Sequence, residues 1–214
     1  MIDALIQPVQ SRILGYPAAI LSRRGISATA ITLTGFALGA LAVPMLALGQ
    51  YGAALTLLLA NRIADGLDGA VARVTGPTDR GAFLDIALDF VFYALFPLGF
   101  ALADPARNAL PAAVLIAAFV GTGSSFLAYA AVAGRGATPA KGFAAKGIHY
   151  IGGLTEGAET IALFVAMCLW PGAFPVLAYL FAAACALTTL SRWYQGWAAF
   201  TSTPAATNPD NNRP

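Results

Sequence analysis

Apolar residues run along this chain in long blocks separated by short polar or Gly/Pro-containing breaks, and each block is close to the roughly 20 residues needed to cross a bilayer as a helix. Six such blocks are expected as helical spans, near 29–49, 52–74, 81–103, 109–133, 154–170 and 174–198. Ser27-Ala28-Thr29 reads as the cap of the first. Gly49-Gln50, Thr75 to Arg80, Asp104 to Asn108 and Trp170-Pro171-Gly172 read as turns, and Gly134 to Gly153 as a longer polar connection. Before the first block, Ile2, Leu5, Ile6, Val9, Ile13 and Leu14 recur at helical spacing beside Arg12, Arg23 and Arg24. That pattern predicts an amphipathic helix over 1–24 lying on the membrane surface, broken or kinked at Tyr16-Pro17. Residues 201–214, rich in Pro, Asn and Thr, read as a disordered tail after a six-span domain over 25–200. The expectation is an all-α integral membrane protein with six transmembrane helices behind an N-terminal interfacial helix.

Composition agrees with a membrane class. Of 214 residues 58% are hydrophobic and only 10% charged, more apolar surface than a soluble core needs. A net charge of +2 is too small to argue for nucleic acid. The placement of charge says more. Arg12, Arg23, Arg24, Arg73, Arg80, Arg135, Lys141, Lys146, Arg192 and Arg213 fall on the side of the termini, Arg107 falls opposite, and Arg62 lies inside a span. Positive charge favours the cytoplasmic side, so both termini are expected there. Cys168 and Cys185 sit in apolar blocks and read as small buried side chains. A single histidine, His149, excludes a multi-histidine zinc site, and the first residues lack the pattern of a signal peptide.

Against this apolar background Asp65, Asp68, Asp85 and Asp89 fall within 25 residues. Carboxylates buried at membrane depth are costly unless something pairs with them. At about 100° per residue, Asn61, Asp65, Asp68 and Ala72 occupy one narrow wedge of a helix, and Gly81, Asp85 and Asp89 share a face of the next. Two adjacent antiparallel helices would aim four carboxylates at a common centre. Such hard oxygen donors favour Mg2+ or Mn2+ over zinc.

The stretch reads D-x-x-D-G-x-x-A-R, then seven residues, then G-x-x-x-D-x-x-x-D. Eight fixed identities at fixed spacing resemble the signature of the CDP-alcohol phosphotransferase family. The resemblance implies transfer of a substituted phosphoryl group from a CDP-linked donor to an alcohol with release of CMP. It further implies Asp65, Asp68, Asp85 and Asp89 as ligands of two Mg2+ or Mn2+ ions, with Asp89 as general base. Gly69 and Ala72 would let a nucleotide lie against the helix, and Arg73 and Thr78 would contact the donor. Ala28 and Thr29 stand where members often carry Pro and Asn or Asp, so Thr29 is the matching donor contact. Phe90 replaces the basic residue that often follows the last Asp. Members are typically homodimers, and Gly121-Thr122-Gly123-Ser124-Ser125 offers a small-residue seam, within one chain or between two.

The apolar walls and the short chain favour CDP-diacylglycerol as donor, its tails remaining in the bilayer of the cytoplasmic (inner) membrane, and a small polar alcohol as acceptor. Lys146, Glu156, Glu159 and Arg192, with His149 and Tyr150 nearby, are the acceptor-binding candidates. Cations would suit a phosphorylated acceptor such as glycerol 3-phosphate; the glutamates would suit an uncharged polyol or an amine, or simply form internal salt bridges. Asn61 reads as a brace for a carboxylate, and Arg62, turned away from that wedge, as a structural or a catalytic partner. Two other functions use the same carboxylates. Intramembrane prenyltransferases place their Asp motifs far apart on more helices. A cation carrier of this kind often shows internal repeats, and the chain has no second copy of the motif.

Overall fold

In the computed structural model, which describes residues 2–133 and 153–200, with side chains from Ile13 onward, every regular element is helical. The elements are α1 (Ile2–Arg23), α2 (Ala28–Ala47), α3 (Tyr51–Thr75), α4 (Asp79–Ala103), α5 (Pro105–Ala133), α6 (Gly157–Leu169) and α7 (Phe174–Ala199), with a 3-10 turn at Pro171–Ala173. Local chemistry sets the starts. The Ser27 side chain accepts from the Ala30 amide at 3.2 Å and opens α2, and Thr78 accepts from the Gly81 amide at 3.1 Å and opens α4. Gly49, at φ 70°, makes the turn between α2 and α3.

The expectation of six spans does not hold. Among the described residues four helices are long and apolar enough to cross a membrane: α2, α4, α5 and α7 together with its leading turn. The 25-residue α3 is long enough, but Arg62, Asp65 and Asp68 fall in its middle, so no stretch of spanning length avoids them. The 13-residue α6 rises only about 20 Å, because Gly153 to Glu156 are not helical. Nor does Tyr16-Pro17 end the first helix, since α1 runs on to Arg23. Leu14, Ala18 and Leu21 of α1 pack with Ile31, Ala70 and Val71, which docks α1 on α3 and leaves Ile13 and Tyr16 exposed.

The core runs from Ala42, Leu46, Ala54 and Leu58 of α2 and α3 into an aromatic centre between α4, α5, α6 and α7. Phe96 stacks on Phe164 with ring centres 4.3 Å apart, and Phe100 stacks on Phe174 at 4.6 Å. Phe92, Phe96, Phe100, Phe164 and Phe174 are all fully buried. The small-residue seam of α5 is used within the chain: a Cβ at Gly121 would stand 3.2 Å from Thr189 of α7, and one at Gly123 would stand 2.7 Å from the Phe90 ring of α4. Cys168 and Cys185 are buried free thiols, as their apolar surroundings suggested.

Candidate active site

The two motif helices are held chiefly through α2, which packs against both α3 and α4. Its contact face is bare at Gly35 and Gly39, where it meets the motif helices. A Cβ at Gly35 would lie 2.8 Å from the Ala64 Cβ of α3, and one at Gly39 would lie 2.9 Å from Phe92 of α4 and 3.1 Å from Asn61 Nδ2 of α3. Because α2 carries the packing, α3 and α4 are left with a cleft between them rather than a sealed interface. The cleft is narrow and lined by Thr32, Gly35 and Phe36 of α2 together with Asn61, Arg62, Asp65, Asp68, Asp85, Leu88, Asp89 and Phe92.

Asp65, Asp85 and Asp89 converge there. Each offers one carboxylate oxygen, and these three oxygens lie within 4.8 Å of one another. Oxygens on opposite sides of a Mg2+ ion stand about 4.2 Å apart, so small side-chain adjustments bring this set onto one ion. Three half-buried carboxylates with no soft donor suit Mg2+ or Mn2+. All four motif aspartates line the cleft, but Asp68 is not in the converging triad. It is buried, with its Oδ2 accepting from Thr32 Oγ1 at 2.6 Å.

Arg62 resolves as a partner of the acidic centre. Its Nη2 donates to Asp89 Oδ1 at 3.1 Å, its Nη1 lies 3.6 Å from Asp65 Oδ2, and its Nε donates to Asn61 Oδ1 at 2.7 Å. Asn61 Nδ2 in turn donates to the Gly35 carbonyl at 2.8 Å, tying the site to the α2 backbone. Thr32 is a site residue the sequence reading missed. Its signal was present: Thr32, Gly35 and Gly39 share one face of a helix, the single hydroxyl in line with the two glycines that admit the motif helices.

The remaining candidates lie elsewhere. Gly69 and Ala72 continue the α3 face, Arg73 is exposed near the end of α3, and Thr78 is the cap of α4. Thr29 sits in the first turn of α2. Asp65 and Asp89 lie about ten residues, roughly 15 Å of helix rise, from that same end. Glu156 and Glu159 form a reciprocal cap on α6: the Glu156 side chain accepts from the Glu159 amide, and Glu159 Oε2 accepts from the Glu156 amide at 3.2 Å, while Glu156 Oε1 also accepts from the Gly153 amide at 3.0 Å. Lys146, with Arg135, Lys141, His149 and Tyr150, lies outside the described residues.

Glu156 also lines a second, partly open cavity on the α5–α7 side of α4. Phe90, Tyr93, Phe119 and Phe126 form much of its wall, and Arg192 its basic corner. Arg192 is buried, with Nη1 donating to the Thr122 carbonyl at 3.0 Å and its guanidinium 5.8 Å from the centre of the Phe126 ring.

Comparison with known proteins agrees with this geometry. The chain is 50% identical over 197 residues to the inner membrane protein YnjF of Escherichia coli (strain K12), covering 92% of this chain and 96% of that protein. Its fold resembles phosphatidylinositol phosphate synthase (PgsA1) of Mycobacterium tuberculosis, solved with CDP-DAG bound, with a TM-score of 0.73 at 22% identity over 92% of this chain and 98% of that one. The same enzyme in complex with manganese and citrate gives a TM-score of 0.67 at 21% identity, covering 93% and 98%. The family model for CDP-alcohol phosphatidyltransferases matches residues 26–199, which include the whole Asp motif and every helix after α1. The chain belongs to the CDP-alcohol phosphatidyltransferase family.

Proposed function

We propose that this protein transfers a phosphatidyl group from CDP-diacylglycerol to the hydroxyl of a small polar alcohol, releasing CMP, in the cleft between α3 and α4. The observation that carries the reading is the convergence of Asp65, Asp85 and Asp89 in a family whose reaction needs a charged pyrophosphate neutralised. Divalent metal ions, two in number, held by Asp65, Asp68, Asp85 and Asp89 would neutralise the pyrophosphate and stabilise the charge on departing CMP.

The chain's own groups supply the rest. Asp89 takes the proton of the acceptor hydroxyl as its oxygen bonds to the phosphatidyl phosphorus and the bond to the CMP oxygen breaks. Thr32 holds Asp68 in one orientation from α2. Gly69 and Ala72 leave the α3 face low enough for the nucleotide, and Arg73, Thr78 and Thr29 bind the donor toward the open end. Apolar outer faces of α2, α4, α5 and α7 keep the acyl chains in the bilayer. The CDP-DAG seen on PgsA1, a protein of this fold, supports that donor.

The second cavity is the acceptor side. A buried guanidinium among aromatic walls suits a phosphorylated polyol such as glycerol 3-phosphate, with Arg192 on the phosphate and Glu156 in the wall of the site; Lys146, by its charge, and Glu159, one turn from Glu156, are the further acceptor ligands of this reading. We place the protein in the inner membrane, the location in the name of the YnjF relative, with both termini and the open end of the cleft cytoplasmic. A homodimer is the assembly we propose, its interface away from the α5 seam.

The test is CMP release by purified protein with Mg2+ and CDP-diacylglycerol, screened across glycerol 3-phosphate, serine, inositol phosphate, inositol, glycerol and ethanolamine. Turnover with a phosphorylated polyol that Asp89→Asn abolishes is the expected result. Turnover only with an uncharged or amine acceptor would overturn the acceptor assignment, and full turnover in Asp89→Asn would overturn its role as base.

A further inference from the structure

Arg62 is held with more contacts than a wandering surface cation needs. Its Nε is fixed by Asn61 Oδ1 at 2.7 Å, Asn61 is itself fixed by the α2 backbone at Gly35, and the guanidinium lies 5.3 Å from the centre of the buried Phe92 ring. From that mount the two Nη atoms reach different helices, Asp65 on α3 at 3.6 Å and Asp89 on α4 at 3.1 Å. The Arg62 side chain is only 17% exposed, so solvent screens these contacts weakly. Both carboxylates belong to the triad that converges with Asp85. A guanidinium and a divalent ion therefore draw on the same acceptors, and two cations cannot fully share them at this spacing without strong repulsion.

We propose that Arg62 is a built-in counter-cation that competes with the divalent metal for Asp65 and Asp89. Metal entry then requires the guanidinium to leave at least one of the two carboxylates. The anchor on Asn61 keeps it within reach, so it returns when the metal departs and prevents α3 and α4 from being driven apart by their own charge. Arg62 thereby sets the metal concentration at which the cleft becomes competent, a positioning role exerted through the two aspartates. The inference rests on the reading of this cleft as a metal site.

The experiment is direct Mn2+ binding to the full-length protein in nanodiscs without CDP-lipid, read from the free-Mn2+ EPR signal in wild type, Arg62→Gln, Arg62→Lys and Asp85→Asn. Removing one charge this close to the ion is expected to lower the Mn2+ dissociation constant of Arg62→Gln by about tenfold or more. Mn2+ should also raise its melting temperature by more than it raises that of wild type. Arg62→Lys, whose single ammonium cannot bridge both carboxylates, should bind more tightly than wild type but less tightly than Arg62→Gln, and it carries the test if Arg62→Gln does not fold. Equal or weaker binding in the Arg62 variants, with wild type binding and Asp85→Asn not, overturns the counter-cation while leaving the metal site intact. No binding by wild type overturns the metal reading, and this inference with it.

Discussion

Gly35→Ala adds one methyl group at the point where α2 meets α3, and the structure gives its effect a size. The new Cβ would stand 2.8 Å from the Ala64 Cβ, and neither atom can rotate away, because both are fixed by helical backbone. Carbon atoms pack at about 3.5–4.0 Å, so α2 must retreat from α3 by roughly an ångström. Overpacking of this kind typically destabilises by about 1–3 kcal/mol. The same retreat stretches the bond from Asn61 Nδ2 to the Gly35 carbonyl, now 2.8 Å, and that from Thr32 to Asp68, now 2.6 Å. Each such bond contributes about 1 kcal/mol, more where the acceptor is charged. Against this, alanine is favoured over glycine within a helix by about 1 kcal/mol. The net expectation is a loss of about 1–3 kcal/mol, with a several-fold rise in the Mg2+ concentration needed for half-maximal CMP release. Gly15→Ala is the internal control: a Cβ there meets nothing within 4 Å, so only the propensity gain remains. Thermal unfolding followed by circular dichroism in detergent, alongside the Mg2+ titration, separates the two. A Gly35→Ala protein as stable as Gly15→Ala, with an unchanged Mg2+ requirement, would refute the close approach of α2 on which the site is built.

Three further substitutions probe individual groups. Thr32→Val removes the donor to Asp68 with little change of volume and should lower stability by about 1–2 kcal/mol; it should also weaken Mn2+ binding several-fold, seen in the EPR titration. Glu159→Gln keeps an oxygen to accept from the Glu156 amide, so its melting temperature should stay within a degree or two of wild type, and a rise in acceptor KM beyond the rise in donor KM would then report contact with substrate. Arg192→Gln should raise the KM for a phosphorylated acceptor about tenfold or more while leaving the KM for CDP-diacylglycerol unchanged, since Arg192 lines the second cavity and not the aspartate cleft; equal changes in both steady-state constants would count against an acceptor site there.

Much of the fold was legible because it is written in local signals. Ser27 caps the helix it precedes, Gly49 turns the chain, and the spacing of Asp65, Asp85 and Asp89 on two helix faces brings their carboxylates together. What the sequence concealed depends on neighbours. The apolar pattern of 154–170 does not disclose that Thr155 and Glu156 are drawn toward α7 and the α6 cap, with Thr155 Oγ1 3.1 Å from Thr188 Oγ1, which shortens α6 below spanning length. Helical spacing put Arg62 off the carboxylate wedge of α3, yet its long side chain reaches back to Asp65 and across to Asp89. The motif named two helices, whereas the packing shows that α2, which carries none of its eight fixed residues, sets their separation through Gly35 and Gly39. Glu156 and Glu159, read from sequence as acceptor ligands or ion-pair partners, also cap a helix, a use visible only once its first turn is located.

The most direct measurement of the central claim follows both products at once. Purified protein in nanodiscs containing CDP-diacylglycerol, given Mg2+ and glycerol 3-phosphate, is assayed by mass spectrometry for CMP and for new phosphatidyl lipid, beside Asp85→Asn. Equal molar amounts of CMP and of a phosphatidyl ester of the acceptor, both lost in Asp85→Asn, is the result this account predicts. CMP formed with phosphatidic acid in place of an ester, or an equal yield from Asp85→Asn, would contradict it.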